Sequence, residues 1–337
     1  MADVSVIIAA KDAAATLPAQ LAALAAQDPP FAWEVLVADN GSADRTAEVV
    51  QDAARTFPAL RLVDAAAVPG AGAARNAAAE VARGDVLLFC DADDVVAPGW
   101  AAALHRALGD AELVAGRLEW ARLNGRAAQE SRALPQVDGL QHTEPLPWLG
   151  CASSSNLGVR RDLFHRVGGF DTRARFLQDT DLCWRAQLAG AALVFEPAAV
   201  VHMRLRRGLR GAWRQGRSSG MGQRWLAARY GPLAAALREA EPSGIVGSDG
   251  AAGPDRSAEA GGAPGSVGTD RLAGARRAWP GRIARRAVLV GGDLVRVRSA
   301  GDVARLAWAT GFGIGYARGG LPDPAPLHPA EVGAACG

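Results

Sequence analysis

From Val4 to Cys90 the chain alternates short apolar, β-branched runs with alanine- and leucine-rich stretches long enough for a helix, and this alternation leaves few folds open. Val4 to Ala9 reads as a strand, about Ala14 to Ala26 as a helix, and Glu34 to Ala38 as a second strand. The pattern continues with a helix from about Asp44 to Thr56, a strand Leu60 to Val63, a helix Ala73 to Arg83 and a strong strand Val86 to Cys90. Strands that alternate with helices predict an α/β fold built on a doubly wound, mostly parallel sheet. Such sheets take ligands at the carboxyl ends of their strands, which directs attention to the residues just beyond each apolar run.

A length of 337 residues allows two units of ordinary domain size, or one large domain with appendages. Apolar residues make up 49% and charged residues 21%, which excludes a wholly disordered, collagen-like or disulfide-scaffold protein. The cysteines at 90, 151, 183 and 336 never approach a Cys-x-x-Cys spacing, so no zinc ribbon or thioredoxin-like site is readable and a reducing compartment is expected. Asp3, Lys11 and Asp12 interrupt every candidate signal-peptide core. The longest apolar stretch, Leu306 to Ala317, is glycine-broken and shorter than the roughly 18 residues of a spanning helix. The expected location is cytoplasmic, with peripheral attachment to the inner face of the cell membrane as an addition.

Charge is divided along the chain. Residues 1–198 hold 17 basic and 25 acidic side chains, whereas 199–320 hold 20 arginines and 8 acids. Acids concentrated in the ordered half argue against a nucleic-acid binder, and the arginine-rich half suits phosphate groups or an anionic membrane surface. Pro242 to Gly268 is rich in Gly, Ala, Ser, Pro and Asp and reads as a linker. The expected organisation is an α/β domain over 1–235, a flexible linker over 242–270, a helical basic segment over 271–320 and a disordered tail over 321–337.

Gly70-Ala-Gly72-Ala-Ala-Arg75 follows a strand and opens a helix, as a dinucleotide-binding fingerprint would, but Arg75 stands where the third glycine is needed for helix-to-sheet packing. The sharper cluster is Asp91-Ala92-Asp93-Asp94, directly after Val86 to Cys90. Three acids so close repel one another unless a cation sits among them, and oxygen donors of this kind suit Mg²⁺ or Mn²⁺ that also holds a diphosphate. Asp39-Asn40-Gly41-Ser42 ends an earlier strand on the same sheet edge, so two polar strand ends face one crevice.

With these motifs the chain, from about Val4 to His202, resembles the family 2 glycosyltransferases, inverting enzymes of the GT-A fold that use nucleotide-diphosphate sugars. Val4 to Asp12 looks like their opening strand and nucleotide-contacting turn, Gly72 to Asn76 like their Gly-x-x-x-Asn helix start, and Asp91-Ala92-Asp93 like their metal and diphosphate motif. Val167-Gly-Gly-Phe-Asp171 followed by Gln178-Asp179-Thr180-Asp181-Leu182 resembles the acceptor-side segment and the helix that carries the catalytic base. The resemblance implies Asp179 as base. It implies donor contacts at Ala9, Lys11, Asp12, Asp39, Asn40, Arg75, Asn76, Asp91 and Ala92, and metal ligands at Asp91, Asp93 and His202.

Gln178 departs from the family's usual Glu, Ala9 from a common Pro, and Lys11 from a common aromatic. The implied partners are a nucleotide-diphosphate sugar, with UDP favoured, and a glycan, lipid-linked or small-molecule acceptor, with an anionic membrane as a peripheral contact. The rival expectations are a sugar nucleotidyltransferase, which normally carries a glycine- and lysine-rich N-terminal loop absent from Val4 to Thr16, and a degenerate sugar-nucleotide-binding module.

Overall fold

The computed structural model describes residues 2–130, 135–206, 208–239, 299–318, 320, 322 and 324–327. In chain order it contains β1 (Val4–Ala10), α1 (Leu17–Ala25), β2 (Trp33–Asp39), α2 (Thr46–Ala54), β3 (Leu60–Asp64), α3 (Ala71–Glu80) and β4 (Val86–Asp91). There follow β5 (Val95–Val96), α4 (Trp100–Ala107), β6 (Leu113–Glu119), α5 (Arg126–Gln129), β7 (Gln141–His142), β8 (Gly150–Cys151) and β9 (Asn156–Arg160). The described elements end with α6 (Arg161–Arg166), α7 (Gln178–Leu188), β10 (Leu193–His202), α8 (Gly208–Glu239) and a further helix, α9 (Ala300–Arg318).

Eight strands form one sheet in the order β3-β2-β1-β4-β9-β6-β10-β5. The neighbours from β3 to β4 are parallel, as are β6 and β10, while β9 runs antiparallel to both β4 and β6. The doubly wound pattern therefore covers the first half of the sheet, and β9 joins the two parallel portions. β1 lies between β2 and β4, so the winding reverses at the β1/β4 boundary, where the strand ends leave an open crevice. Ala9 is in register with Asp91 and with Ala38, which brings three of the sequence-predicted positions or their neighbours to one edge.

The side-chain period of two divides each central strand between two cores. Val4, Val6 and Ile8 of β1 pack with Val35, Val37, Leu88, Leu21, Leu104 and Trp100 on the α1, α2 and α4 side. Ile7, Leu36, Leu87 and Phe89 pack with Ala74, Ala78, Leu163 and Leu182 on the α3, α6 and α7 side. Both faces are covered, which explains why these strands read as continuous apolar runs rather than as alternating ones. Leu193 to His202 form the single strand β10. Its register against β6 shifts between Glu196 and Val200.

A third cluster joins Trp184 of α7 to Trp225, Leu226, Tyr230 and Leu233 of α8. Helix α9 lies against α8 at backbone contact. A Cβ added at Gly216 would meet the Trp308 carbonyl, one at Gly220 the Phe312 carbonyl, one at Gly311 the Trp213 carbonyl and one at Gly315 the Arg217 carbonyl. Two pairs of glycines spaced by four residues thus remove the side chains that would hold the helix axes apart. Within the segment 271–320, Ala300–Arg318 form α9, which docks on α8. The expected linker and residues 271–298 of that segment lie outside the described residues. Part of the tail expected to be disordered has a defined place: the Leu327 N–H donates to the Arg229 carbonyl at 2.8 Å, and Leu327 packs on the Trp225 cluster.

Candidate active site

The crevice at the ends of β1, β2 and β4 is lined by turns that brace one another. Asp12 adopts a left-handed backbone with φ of 50°, its N–H donates to Ser42 Oγ at 2.9 Å, and its Oδ1 accepts from the Ala43 N–H at 2.7 Å. Asp39 Oδ1 accepts from the Ser42 N–H at 3.0 Å and from Ser42 Oγ at 2.6 Å. Lys11 Nζ donates to the Asn40 carbonyl at 3.3 Å, with its side chain at the exposed rim. Asp44 joins the same web through Thr46 and the Ala14 N–H, and the Thr46 hydrogen bond holds its carboxyl below the usual range.

Two predicted donor contacts have side chains committed to holding the scaffold. Asn40 Nδ2 donates to the Ala65 carbonyl at 2.5 Å and the Val68 carbonyl at 2.8 Å, and its Oδ1 accepts from the Gly70 N–H at 2.7 Å. Asn76 clasps Phe170 through both backbone groups, at 2.8 and 2.9 Å. Gly70, at φ of 128°, turns the chain into α3 in a conformation that a side chain disfavours. The two glycines of the apparent dinucleotide fingerprint therefore serve the entry to α3. A Cβ at Gly72 would sit 3.2 Å from Phe170 Cβ and 3.5 Å from Gln178 Cγ, so this entry packs directly on the start of α7.

At the end of β4, ligand oxygens of Asp91, Asp93 and Asp94 lie within 4.8 Å of one another. The Ala92 side chain between them is buried in the core. Asp94 is 1% exposed; its Oδ1 accepts from the Arg204 N–H at 2.7 Å, while its Oδ2 is buried with no hydrogen-bond partner among the described residues. Burial, followed by the charge of Asp91, pushes Asp93 up to about 6. Burial, followed by the charges of Asp91 and Asp93, pushes Asp94 well above the ordinary carboxylate range. Three crowded carboxyls, two of them pushed toward the neutral form by burial and by one another, and an unpartnered buried oxygen suit a divalent cation with a preference for oxygen donors.

Arg75 supplies positive charge from α3. It is 3% exposed, its Nη2 is 2.5 Å from Asp91 Oδ1, and its guanidinium lies 5.5 Å from the centre of the Phe170 ring. Across the crevice, Asp179 stands in the first turn of α7. Its Oδ2 accepts from the Ser154 N–H at 3.1 Å and its Oδ1 from the Thr180 N–H at 2.9 Å. Burial raises the Asp179 carboxyl above its usual value; the Ser154 hydrogen bond and the Arg75 charge pull it back, and Asp91 adds a smaller push upward. The residue before Gln178, Leu177, caps α7 in a left-handed conformation with φ of 57°, which fixes where Asp179 begins its turn.

Asp181, two residues further on, is fully buried by Arg185 at 2.7 Å, Arg229 at 3.1 Å and Tyr230 Oη at 2.7 Å. It anchors α7 to α8. His202 ends β10 next to Val95, with Nδ1 2.7 Å from Glu119 Oε2 and Nε2 3.0 Å from Arg122 Nη1. Glu119 would be raised by burial, but hydrogen bonds from His202 and two backbone N–H groups bring it below its usual value. Glu119 therefore fixes the ring, and Arg122 occupies the nitrogen that faces away from it. Sequence reasoning missed Ser154, Glu119 and Arg122, since each acts on a residue 25 to 83 positions away and no local pattern marks them.

The family model described as Glycosyl transferase family 2 matches residues 5–168. The chain is 32% identical over 200 residues to glycosyltransferase AglE of Haloferax volcanii, covering 57% of this chain and 64% of that one. It is 30% identical over 220 residues to the succinoglycan biosynthesis protein ExoO of Rhizobium meliloti, covering 60% and 61%. The chain thus spans less than two thirds of either relative. The mannosyltransferase PcManGT from Pyrobaculum calidifontis, solved with GDP-Man and Mn²⁺, has the same fold, with a TM-score of 0.57 at 18% identity over 94% of this chain and 87% of that one. The sheet has the GT-A arrangement, and residues 5–168 match the family 2 glycosyltransferases.

Proposed function

We propose that the protein is an inverting glycosyltransferase that moves a sugar from a nucleoside-diphosphate donor, UDP-linked by preference, to an acceptor hydroxyl of a glycan, lipid-linked or small-molecule substrate at an anionic membrane surface. The observation that carries this reading is the placement of the Asp91, Asp93 and Asp94 carboxyls and the Asp179 carboxyl around one crevice at the switch point of the sheet. The family 2 match favours it over a sugar nucleotidyltransferase.

Asp91, Asp93 and Asp94 would hold Mg²⁺ or Mn²⁺, and His202, which stands outside that carboxylate group with Nε2 against Arg122, is the nitrogen ligand that the resemblance adds. A divalent cation held by these carboxylates would supply positive charge to offset the charge that develops on the departing nucleoside diphosphate. The turns at Lys11–Asp12 and Asp39–Asn40 form the nucleotide end of the crevice. Arg75 pairs with Asp91 and opposes the rise that burial imposes on the Asp179 carboxyl. Asp179 takes the acceptor hydroxyl's proton as that oxygen attacks the anomeric carbon from the face opposite the leaving group, which inverts the centre in one displacement. Ser154 and the Thr180 N–H hold both carboxylate oxygens in place for this. Gln178 leaves Asp179 without an adjacent acid in the first turn before it.

A thermal-shift panel of nucleoside diphosphates and nucleotide sugars, with and without Mn²⁺, tests the donor, since a ligand of the folded state alone raises its melting temperature. A UDP-sugar is expected to stabilise the protein only with the metal. In Asp179→Asn, binding should persist while turnover falls about 10²- to 10⁴-fold. Near-normal turnover in that variant would place the base elsewhere, and a panel without any stabilising nucleotide would overturn the reading.

A further inference from the structure

We propose that the outward face of α9 and the arginine stripe of α8 form one docking surface for an anionic lipid bilayer. This rests on the membrane-surface reading above and assigns it to particular residues. Val303, Leu306, Thr310, Ile314 and Ala317 recur at intervals of three and four, so they share one face of α9, and none is charged. Val303 is 37% and Ile314 38% exposed, and Thr310 and Ala317 are exposed as well. A different face, marked by Gly311 and Gly315, meets α8. Trp308, Phe312 and Tyr316 stack in sequence along the helix, at 5.4 and 6.4 Å between ring centres, and Tyr316 reaches solvent at 45% exposure.

The positive charge lies alongside. Arg210, Arg214, Arg217 and Arg224 are exposed on one stripe of α8, and no acidic residue occurs from Gly208 to Arg238. Arg217 contributes the carbonyl against Gly315, and Arg224 Nη1 donates to the Ala317 carbonyl at 3.0 Å, so the stripe borders α9. An apolar helix face bordered by arginines is the pattern of a helix that lies in a membrane interface. No helix among the described residues is long and apolar enough to cross a membrane. A nucleic acid would engage the arginines but gain nothing from Val303 and Ile314, whereas a bilayer engages both.

The test is sedimentation of the full-length chain with phosphatidylcholine vesicles, with and without phosphatidylglycerol. Binding should require phosphatidylglycerol and weaken with salt. Arg210→Ala combined with Arg214→Ala should weaken it about 25-fold, at roughly fivefold per engaged arginine. Ile314→Asp should weaken it at both low and high salt. Absence of vesicle binding at low salt, equal binding to neutral vesicles, or wild-type binding by both variants would overturn the proposal. A loss of poly(U) binding in the arginine variant with vesicle binding unchanged would assign the stripe to a polyanion instead. Both variants should keep the wild-type melting temperature and Mn²⁺-dependent stabilisation by UDP. Failure of that UDP response in the wild-type protein counts against the enzymatic reading, while vesicle binding is scored without any nucleotide.

Discussion

Arg75 Nη2 lies 2.5 Å from Asp91 Oδ1, and the same buried guanidinium lowers the proton affinity of Asp179 on the other side of the crevice. One residue of α3 thus connects the acidic end of β4 with the first turn of α7. Its Nε and Nη1 are buried without a hydrogen-bond partner among the described residues. The site therefore keeps donor capacity in reserve beside Asp91.

Replacing Arg75 by Met should act on acid–base behaviour as well as on stability. Without the guanidinium, Asp179 loses a positive neighbour and its carboxyl rises further. The acidic limb of the kcat/KM profile, below which the base is protonated, should then move to higher pH. Because Asp91 is 29% exposed, the stability loss should fall below the roughly 3–5 kcal/mol of a fully buried broken pair. A pH–rate profile and a melting curve check both effects, and a profile superimposable on wild type would sever Arg75 from Asp179.

Divalent-ion affinity should rise steeply with pH. Asp93 is raised to about 6 without metal, so the folded protein binds more protons than the unfolded chain between the ordinary carboxylate value and about 6. Stability of the metal-free protein therefore falls as pH rises through that window, and Mn²⁺, which competes with those protons, should restore it. Asp94→Asn removes a carboxyl whose charged form is disfavoured by burial and by Asp91 and Asp93, so its melting temperature without metal should be near wild type while the Mn²⁺-dependent increase is lost. Calorimetric titration of Mn²⁺ across this pH range decides the matter, with a pH-independent affinity as the adverse result.

Gly315→Leu should detach α9 from α8, because any side chain at that position enters the Arg217 carbonyl. Limited proteolysis should cut near α9 in the variant at protease levels that spare the wild type, and tryptophan emission should shift red as Trp308 becomes wetter. The crevice residues lie on other elements, so stabilisation by UDP with Mn²⁺ should survive. Unchanged proteolysis would show that the helices tolerate separation.

The strand–helix alternation of the first ninety residues and the carboxylates at the end of β4 were legible in the sequence, because each depends on local periodicity or on a short run of polar side chains, whereas Asp179 was named through the resemblance of its segment to a family motif. His202 was named through the same resemblance. Its Glu119 and Arg122 partners became visible only when β6 and β10 paired in the sheet. Tertiary packing alone decided that Asn40 and Asn76 brace loops, that Asp181 is locked between two arginines and a tyrosine, and that Ser154 steadies Asp179. Likewise, Gly216, Gly220, Gly311 and Gly315 look like helix breakers in sequence, yet they create the backbone contact between α8 and α9. Propensity and periodicity report on a residue's neighbours in the chain, whereas the proton affinity of a carboxyl or the value of a missing side chain depends on what the fold places against it.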